Sequence, residues 1–169
     1  MATKIIVPEV DAIRTGKNKS LPDGEAVSAD GSVKQFGALC VRAGPEGSDQ
    51  VLIITTRQTR RWTIPKGWPI KGLHARRVAE KEAWEEAGVK GRAKKKPVGH
   101  FTYRKVLADG RVVIARVMVH PVTVNKVRAK FPEHKERTTA WVSPEEAALR
   151  VFAPELKGLI KGLVKPPED

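Results

Sequence analysis

The sequence predicts one α/β domain. Three observations carry that expectation: two pairs of β-prone runs, each pair split by a turn-rich segment, and a stretch of helix formers free of Gly and Pro that stops at a glycine. At 169 residues with 40% hydrophobic content the chain can bury a substantial core, and a second full domain would be hard to fit.

Residues 1–32 lack sustained periodicity and carry Gly16, Lys17, Lys19, Pro22, Asp23, Gly24, Asp30 and Gly31, the signature of an irregular arm. The domain is expected over 33–165, with 166–169 as a tail opened by Pro166 and Pro167. Residues 35–42 and 50–56 read as two strands that form a hairpin across the turn-rich 43–49. Trp62, Thr63 and Ile64 make a short extended piece ended by Pro65, and 66–72 holds too much Gly and Pro for regular structure. Residues 74–87 follow as the helix, and Gly88 suits the left-handed conformation after a helix end. Residues 97–107 and 111–119 predict a second hairpin around Ala108, Asp109 and Gly110, since Asp-Gly is a strong hairpin turn. Residues 138–142 read as the last strand. Ser143, Pro144 and Glu146 then have the spacing of an N-cap, a first helical proline and a capping-box acid. Phe152, Leu156, Leu159, Ile160 and Leu163 recur at helical spacing, predicting an amphipathic C-terminal helix.

Lys and Arg number 32 against 19 Asp and Glu, a formal charge of +13 that exceeds what solubility requires and points to an anionic partner. Charge alone does not separate nucleic acid, an acidic membrane surface and a highly phosphorylated small molecule. Cys40, the single cysteine, excludes an internal disulfide and a cysteine-cluster zinc site, and its apolar neighbours predict a buried thiol. Ile5, Ile6 and Val7 are stopped by Pro8, too short for a secretory core, and no apolar run approaches membrane-spanning length, so a cytoplasmic protein is expected.

The chemistry is concentrated on the predicted helix. Residues advance by about 100° along a helix, so Glu82, Glu85 and Glu86 share one face. Most Glu-rich helix faces are simply solvated. Here Ala75, Val78, Ala79, Ala83 and Ala87 cover an arc overlapping that of Glu82 and Glu86, while Arg77, Glu80, Lys81 and Trp84 lie opposite. Carboxylates that converge where burial is expected repel one another and lose hydration, and a hard divalent cation is the natural compensation. Magnesium and phosphate chemistry are therefore expected. Lys81, four residues before Glu85, is placed to orient it through a pair contributing only about 0.5 kcal/mol.

Gly67, Glu82, Glu85, Glu86, Gly88 and Val89 fall in register with the Nudix box: Gly, five residues, Glu, seven residues, Arg-Glu, an aliphatic residue, any residue, Glu-Glu, any residue, Gly, an aliphatic residue. Leu73 stands where that pattern has its first Glu, Lys81 stands at its Arg, and Ala83 is a small version of its aliphatic position. Lys81 keeps the charge without the planar fork. The resemblance extends over roughly 33–163 and looks closest to the diphosphoinositol polyphosphate phosphohydrolase branch, through segments 36–42, 51–57, 61–67 and 141–147. It implies an α/β/α sandwich around a mixed β-sheet and a pyrophosphohydrolase. It also implies Glu82 and Glu86 as metal ligands, Glu85 as ligand or water-activating base, the backbone carbonyl of Lys66 or Gly67 as a further donor, and Mg2+, with Mn2+ as a substitute. Some family members use a further acid after the box, and Glu136 is the candidate for it.

Lys34, Arg57, Arg60, Arg61, Lys66, Lys71, Arg104, Lys105, Arg111, Arg116 and Arg137 flank the predicted strand ends and box loop, where Arg forks suit clustered phosphates. Lys34, Arg57 and Arg137 lie, by the resemblance, near positions that the inositol-phosphate branch uses, and Arg61, Lys66, Arg104 and Arg116 complete the expected substrate-binding set. The basic run 90–96 suggests a nonspecific RNA contact but lacks interleaved aromatics. Only 5% of the residues are aromatic, favouring a base-free polyphosphate, although Trp62, Trp68, Phe101 or Tyr103 could stack a base. His100, His120 and His134 show no zinc spacing. Three readings stand: a hydrolase for diphosphoinositol or dinucleoside polyphosphates, an RNA 5′-end pyrophosphohydrolase, and a noncatalytic polyanion-binding module, for which the missing box Glu is the best argument. The oligomeric state stays open.

Overall fold

Alternating apolar residues build β1 (Val33–Ala43), which turns through 44–48 into the antiparallel β2 (Asp49–Thr55), as the hairpin signals predict. The computed structural model describes residues 27–163, so most of the expected arm and the 166–169 tail lie outside the described residues. β3 (Trp62–Thr63) adds to β2, and β4 (Lys66–Gly67) adds to β1. The second of these corrects the expectation of a structureless 66–72: Gly67 pairs with Phe36 and Lys66 with Gly37, so the start of the box is tied to the sheet. α1 (Ala75–Ala87) begins after His74 and ends at Gly88, whose φ of 71° is the left-handed conformation expected there.

β5 (Val89–Ala93) overlaps the basic run 90–96 expected to be a contact segment. β6 (Gly99–Val106) and β7 (Val112–Val127) form the second hairpin, with Val106 opposite Val112. β7 runs well past the predicted strand, through Pro121. It pairs with β6 over Val112–Val119 and with β5 over Val122–Val127, so the proline's missing N–H falls in the gap between two antiparallel partners. On its other side β7 runs parallel to β1, which makes the sheet mixed. β8 (Thr139–Val142) pairs with β2, and the order through the sheet centre is β3-β2-β1-β7-β5.

Helices cover both faces, as an α/β/α sandwich requires. Ala79, Ala83 and Ala87 of α1 pack on Ala38, Cys40, Leu52, Ile54 and Val122. Small side chains there let the helix approach the strands closely. On the other face α2 (Pro144–Arg150) and α3 (Pro154–Lys161) bring Ala147, Ala148, Leu156 and Ile160 onto Leu39, Ile53, Phe101, Val117 and Val119. Ser143 caps α2 by accepting from the Glu146 N–H at 3.1 Å. Cys40 is fully buried, and burial pushes its thiol up to about 12.

Candidate active site on the box helix

The site grows from the packing of α1. Its inward face carries Val78, Ala79, Glu82, Ala83, Glu86 and Ala87, so two carboxylates ride on the face that supplies the core contacts. Glu82 is 2% exposed and Glu86 4%. Glu82 lies directly against Gly67, where a Cβ would overlap its carboxylate. Only glycine fits there. Glu86 is held at both oxygens: the Lys66 N–H donates to Oε2 at 3.0 Å, and Arg137 Nη2 donates to Oε1 at 2.9 Å. The pairing of β4 with β1 thus positions the backbone that meets both carboxylates. Glu85 is half-buried, with Lys81 Nζ 3.6 Å from its Oε1, the expected i,i+4 pair.

The segment after β7 folds back over the end of α1. The Arg128 N–H donates to the Gly88 carbonyl at 2.8 Å and the Glu133 N–H to the Glu85 carbonyl at 3.0 Å. Glu133, which sequence reading did not single out, therefore faces Glu86 across Arg137, whose Nη2 lies 3.3 Å from Glu133 Oε1. Burial first, and then the charge of Glu86, push the Glu133 carboxyl above its ordinary range, while Arg137 and Arg57 oppose the shift. Glu136, the acid singled out beforehand, pairs with Arg57 at 3.5 Å nearer the surface, and Arg57 also reaches Glu133 at 3.7 Å. No sequence spacing links Glu133 to the box.

The expected phosphate-binding residues fall into separate groups. Arg137 and Arg57 converge on the carboxylates. The Arg137 side chain is 7% exposed, and its Nη1 also donates to the Thr55 carbonyl at 3.1 Å. Lys34 and Arg116 are cross-strand neighbours, with Arg104 two pairs further along the β6–β7 ladder, opposite Ile114. Because side chains alternate along a strand, Lys34 shares a face with Phe36, whose backbone pairs with Gly67, so this basic sheet end adjoins the box loop. Arg116 is also 3.9 Å from Asp30. Arg61 instead places its guanidinium 3.9 Å from the Phe152 ring centre, and Lys66 Nζ lies 4.8 Å from that of Tyr103.

Three of the aromatics proposed for base stacking are core residues: Phe101, Tyr103 and Trp68 are buried, and Tyr103 donates to Gln35 at 2.6 Å. Trp62 is half-buried. His120 is buried with Nδ1 2.9 Å from the Lys94 carbonyl, a structural histidine. Leu73, at the position of the missing box Glu, is 42% exposed at the start of α1.

A hard divalent ion fits the chemistry of this donor set, which is carboxylate and carbonyl oxygen throughout, with Glu82 buried in a cradle that a Cβ at Gly67 would fill. Among the described residues, no three of His, Cys, Asp and Glu are gathered around one point as a ready-made metal cage. The cation standing at Glu86 is Arg137.

The NUDIX domain family model matches residues 33–163. Nudix hydrolase 16, mitochondrial, of Arabidopsis thaliana is 28% identical over 120 residues, covering 69% of this chain and 66% of that protein. The chain thus spans just under two thirds of that relative's length. Among solved structures, a C. elegans Ap4A hydrolase superposes with a TM-score of 0.55 at 21% identity, covering 77% of this chain and 94% of that one. A NUDIX hydrolase from Nitrosomonas europaea gives 0.58 at 16% identity, covering 76% and 85%. These likenesses match the observed fold: a mixed sheet between helices.

Proposed function

The chain belongs to the NUDIX domain family, and from that premise we propose that it is a metal-dependent pyrophosphohydrolase acting on a densely phosphorylated small molecule. The observation that carries this reading is the burial of Glu82 and Glu86 on the packed face of α1, with Gly67 leaving room for the Glu82 carboxylate. Two carboxylates kept out of water at such cost serve a cation better than they serve stability.

On this reading Glu82 and Glu86 hold Mg2+ or Mn2+, with the carbonyl of Lys66 or Gly67 as a further donor. When bound there, divalent ions supply charge neutralisation of the diphosphate and acidify the attacking water. Glu85, half-exposed and steadied by Lys81, is a ligand or accepts the proton from that water. Glu133 is the additional carboxylate outside the box, in preference to Glu136, because it reaches Glu86 through Arg137 and is the more buried of the two. Leu73 leaves the helix start without a carboxylate, so Glu82, Glu85 and Glu86 carry the metal chemistry.

Substrate choice rests on the basic groups. Lys34, Arg104 and Arg116 line the sheet end beside the box loop, and Arg57 lies at the rim of the carboxylates. Burial of Phe101, Tyr103 and Trp68 takes these aromatics away from base stacking. Both features support a diphosphoinositol polyphosphate over a nucleotide. Dinucleoside polyphosphates remain the second substrate class, in keeping with the name of the C. elegans Ap4A hydrolase of the same fold.

Phosphate release with Mg2+ over diphosphoinositol phosphates, dinucleoside polyphosphates, triphosphate-ended RNA and nucleoside diphosphate sugars tests the proposal. Activity is expected on the first two and lost by orders of magnitude in Glu82→Gln and Glu86→Gln variants that stay folded. Near-normal turnover in both variants would move the chemistry off α1, and inactivity of the wild type on every substrate would favour a binding module.

A further inference from the structure

Glu86 and Glu133 come from segments distant in sequence, and one guanidinium nitrogen serves both: Arg137 Nη2 lies 2.9 Å from Glu86 Oε1 and 3.3 Å from Glu133 Oε1. The pair with Glu86 is buried on both sides, at 7% and 6% side-chain exposure. Arg57 adds charge only at a longer 3.7 Å, from a more exposed position. Glu86 Oε2 accepts from the Lys66 backbone, a contact fixed by the sheet, whereas Oε1 accepts from a side chain at the end of several rotatable bonds.

We propose that Arg137 is a resident counter-cation of the box carboxylates, which yields Glu86 Oε1 when a divalent ion loads and then turns its guanidinium to the substrate's phosphates. This rests on the metal-dependent reading above. Two electrostatic facts carry it. Glu86 and Glu133 repel each other in a partly desolvated place and need positive charge whenever no other cation is present. Arginine also cannot shed its proton, so it cannot stay beside an incoming divalent ion as a neutral group. The guanidinium must give up that oxygen, and it has somewhere to pivot. Nη1 is tethered to the Thr55 carbonyl and Glu133 remains within reach, so the fork can swing without disturbing the segment before β8 that carries it. Arg57, on the turn that follows β2 and also facing Glu133, stands ready to take over that carboxylate. Metal loading and the presentation of a phosphate-binding arginine thereby become one event.

A purely structural strut between the 133–138 segment and α1 would behave differently. Losing a strut weakens every property of the site. Losing a competing cation tightens metal binding while it weakens substrate binding, and that opposition of sign is the signature.

The test uses the full chain. Mn2+ affinity, from titration calorimetry and the electron paramagnetic resonance of free Mn2+, is compared in wild type, Arg137→Met and Arg137→Lys, together with KM for the best substrate. Arg137→Met is expected to bind Mn2+ about tenfold more tightly, because a competing buried charge has gone, while KM rises. Arg137→Lys, with charge but no fork, should fall between the two. In wild type, the Arg137 guanidinium NH resonances should show hindered rotation without metal and lose it on Mg2+ saturation, a readout that does not depend on whether a variant folds. Metal binding with the Arg137 resonances undisturbed, or with Mn2+ affinity unchanged or weakened in Arg137→Met, overturns this inference alone. Failure of wild type to bind either ion overturns the metal-dependent reading as well.

Discussion

Gly67 is the most exacting position in the site, and replacing it with alanine isolates what the close approach of Glu82 contributes. A Cβ there would overlap Glu82 Oε1 and Cδ and stand 2.9 Å from Cγ. Ordinary Cβ contacts begin well beyond that, so one of the two groups must move. Glu82 has little freedom to do so, being 2% exposed on the packed face of α1, and Gly67 is pinned by its pairing with Phe36. Overpacking of this kind costs about 1–3 kcal/mol, which for a domain of this size lowers Tm by roughly 2–12 °C. The effect on chemistry should be larger, since displacing a ligating group by about 1 Å is enough to cost about a hundredfold in rate. Gly72→Ala is the control: its φ of 84° also disfavours alanine, but nothing lies within 4 Å of the added carbon. Thermal melts give the stability of both variants, and active-fraction-corrected turnover gives the chemistry. If Gly67→Ala loses no more turnover per folded molecule than Gly72→Ala, the contact with Glu82 does not set the geometry of the site.

Leu73→Glu restores the carboxylate of the box pattern at an exposed position, and is expected to change turnover by less than about tenfold, or about 1.4 kcal/mol in transition-state terms; a wild type silent until this change would mean that Glu82, Glu85 and Glu86 do not suffice. Cys40, with its thiol pushed up to about 12 by burial, should resist alkylation in the native protein and react at an ordinary rate in denaturant. The Thr102 hydroxyl and N–H, at 2.7 and 2.8 Å, hold the Glu155 carboxyl below its ordinary range and tie α3 to β6. A depressed carboxylate stabilises the fold above its unfolded pKa and loses that contribution as pH falls through the folded one. Glu155→Gln should therefore lower Tm at neutral pH and flatten its acid-side slope, and an unchanged slope would refute the linkage.

Local rules make much of this molecule legible in its sequence. Hairpin turns, the Ser143 cap and the glycine-terminated helix are encoded within a few residues each, and all appear. The overlap of small apolar positions with Glu82 and Glu86 foretold their burial, because helical periodicity fixes which side chains share a face. What escaped depends on distant contacts. β5 is obscured by Lys90, Arg92 and Gly91, and the register with β7 shifts between Lys90 and Gly91, a bulge that breaks simple alternation. The strand expected over 111–119 continues past Pro121 by changing partners around it. Glu133 is brought to Glu86 only because the chain after β7 hydrogen-bonds back onto the end of α1. The charge of Arg137 is visible in sequence and puts it among the expected phosphate ligands, but its contact with the buried Glu86 is not legible there.

The long strand β7 also sets the order in which this chain can become a protein. Val33 at the start of β1 pairs alongside Ala115, and that parallel ladder continues to Val41 and Thr123, so the central seam of the sheet joins segments far apart in sequence. Until β7 leaves the ribosome, β1 is held by β2, β4 and the bridge from Val27 to Val33, and the face that α1 must cover is unfinished. The apolar side of α1, with two carboxylates embedded in it, finds Ala38, Cys40, Leu52 and Ile54 already made but lacks Val122 until β7 follows. Contacts of such long range are reached slowly, because the loop between them must close before any of them forms. The nascent chain is accordingly expected to stay protease-sensitive until β7 has emerged and then to gain protection in β1, β7 and α1 together.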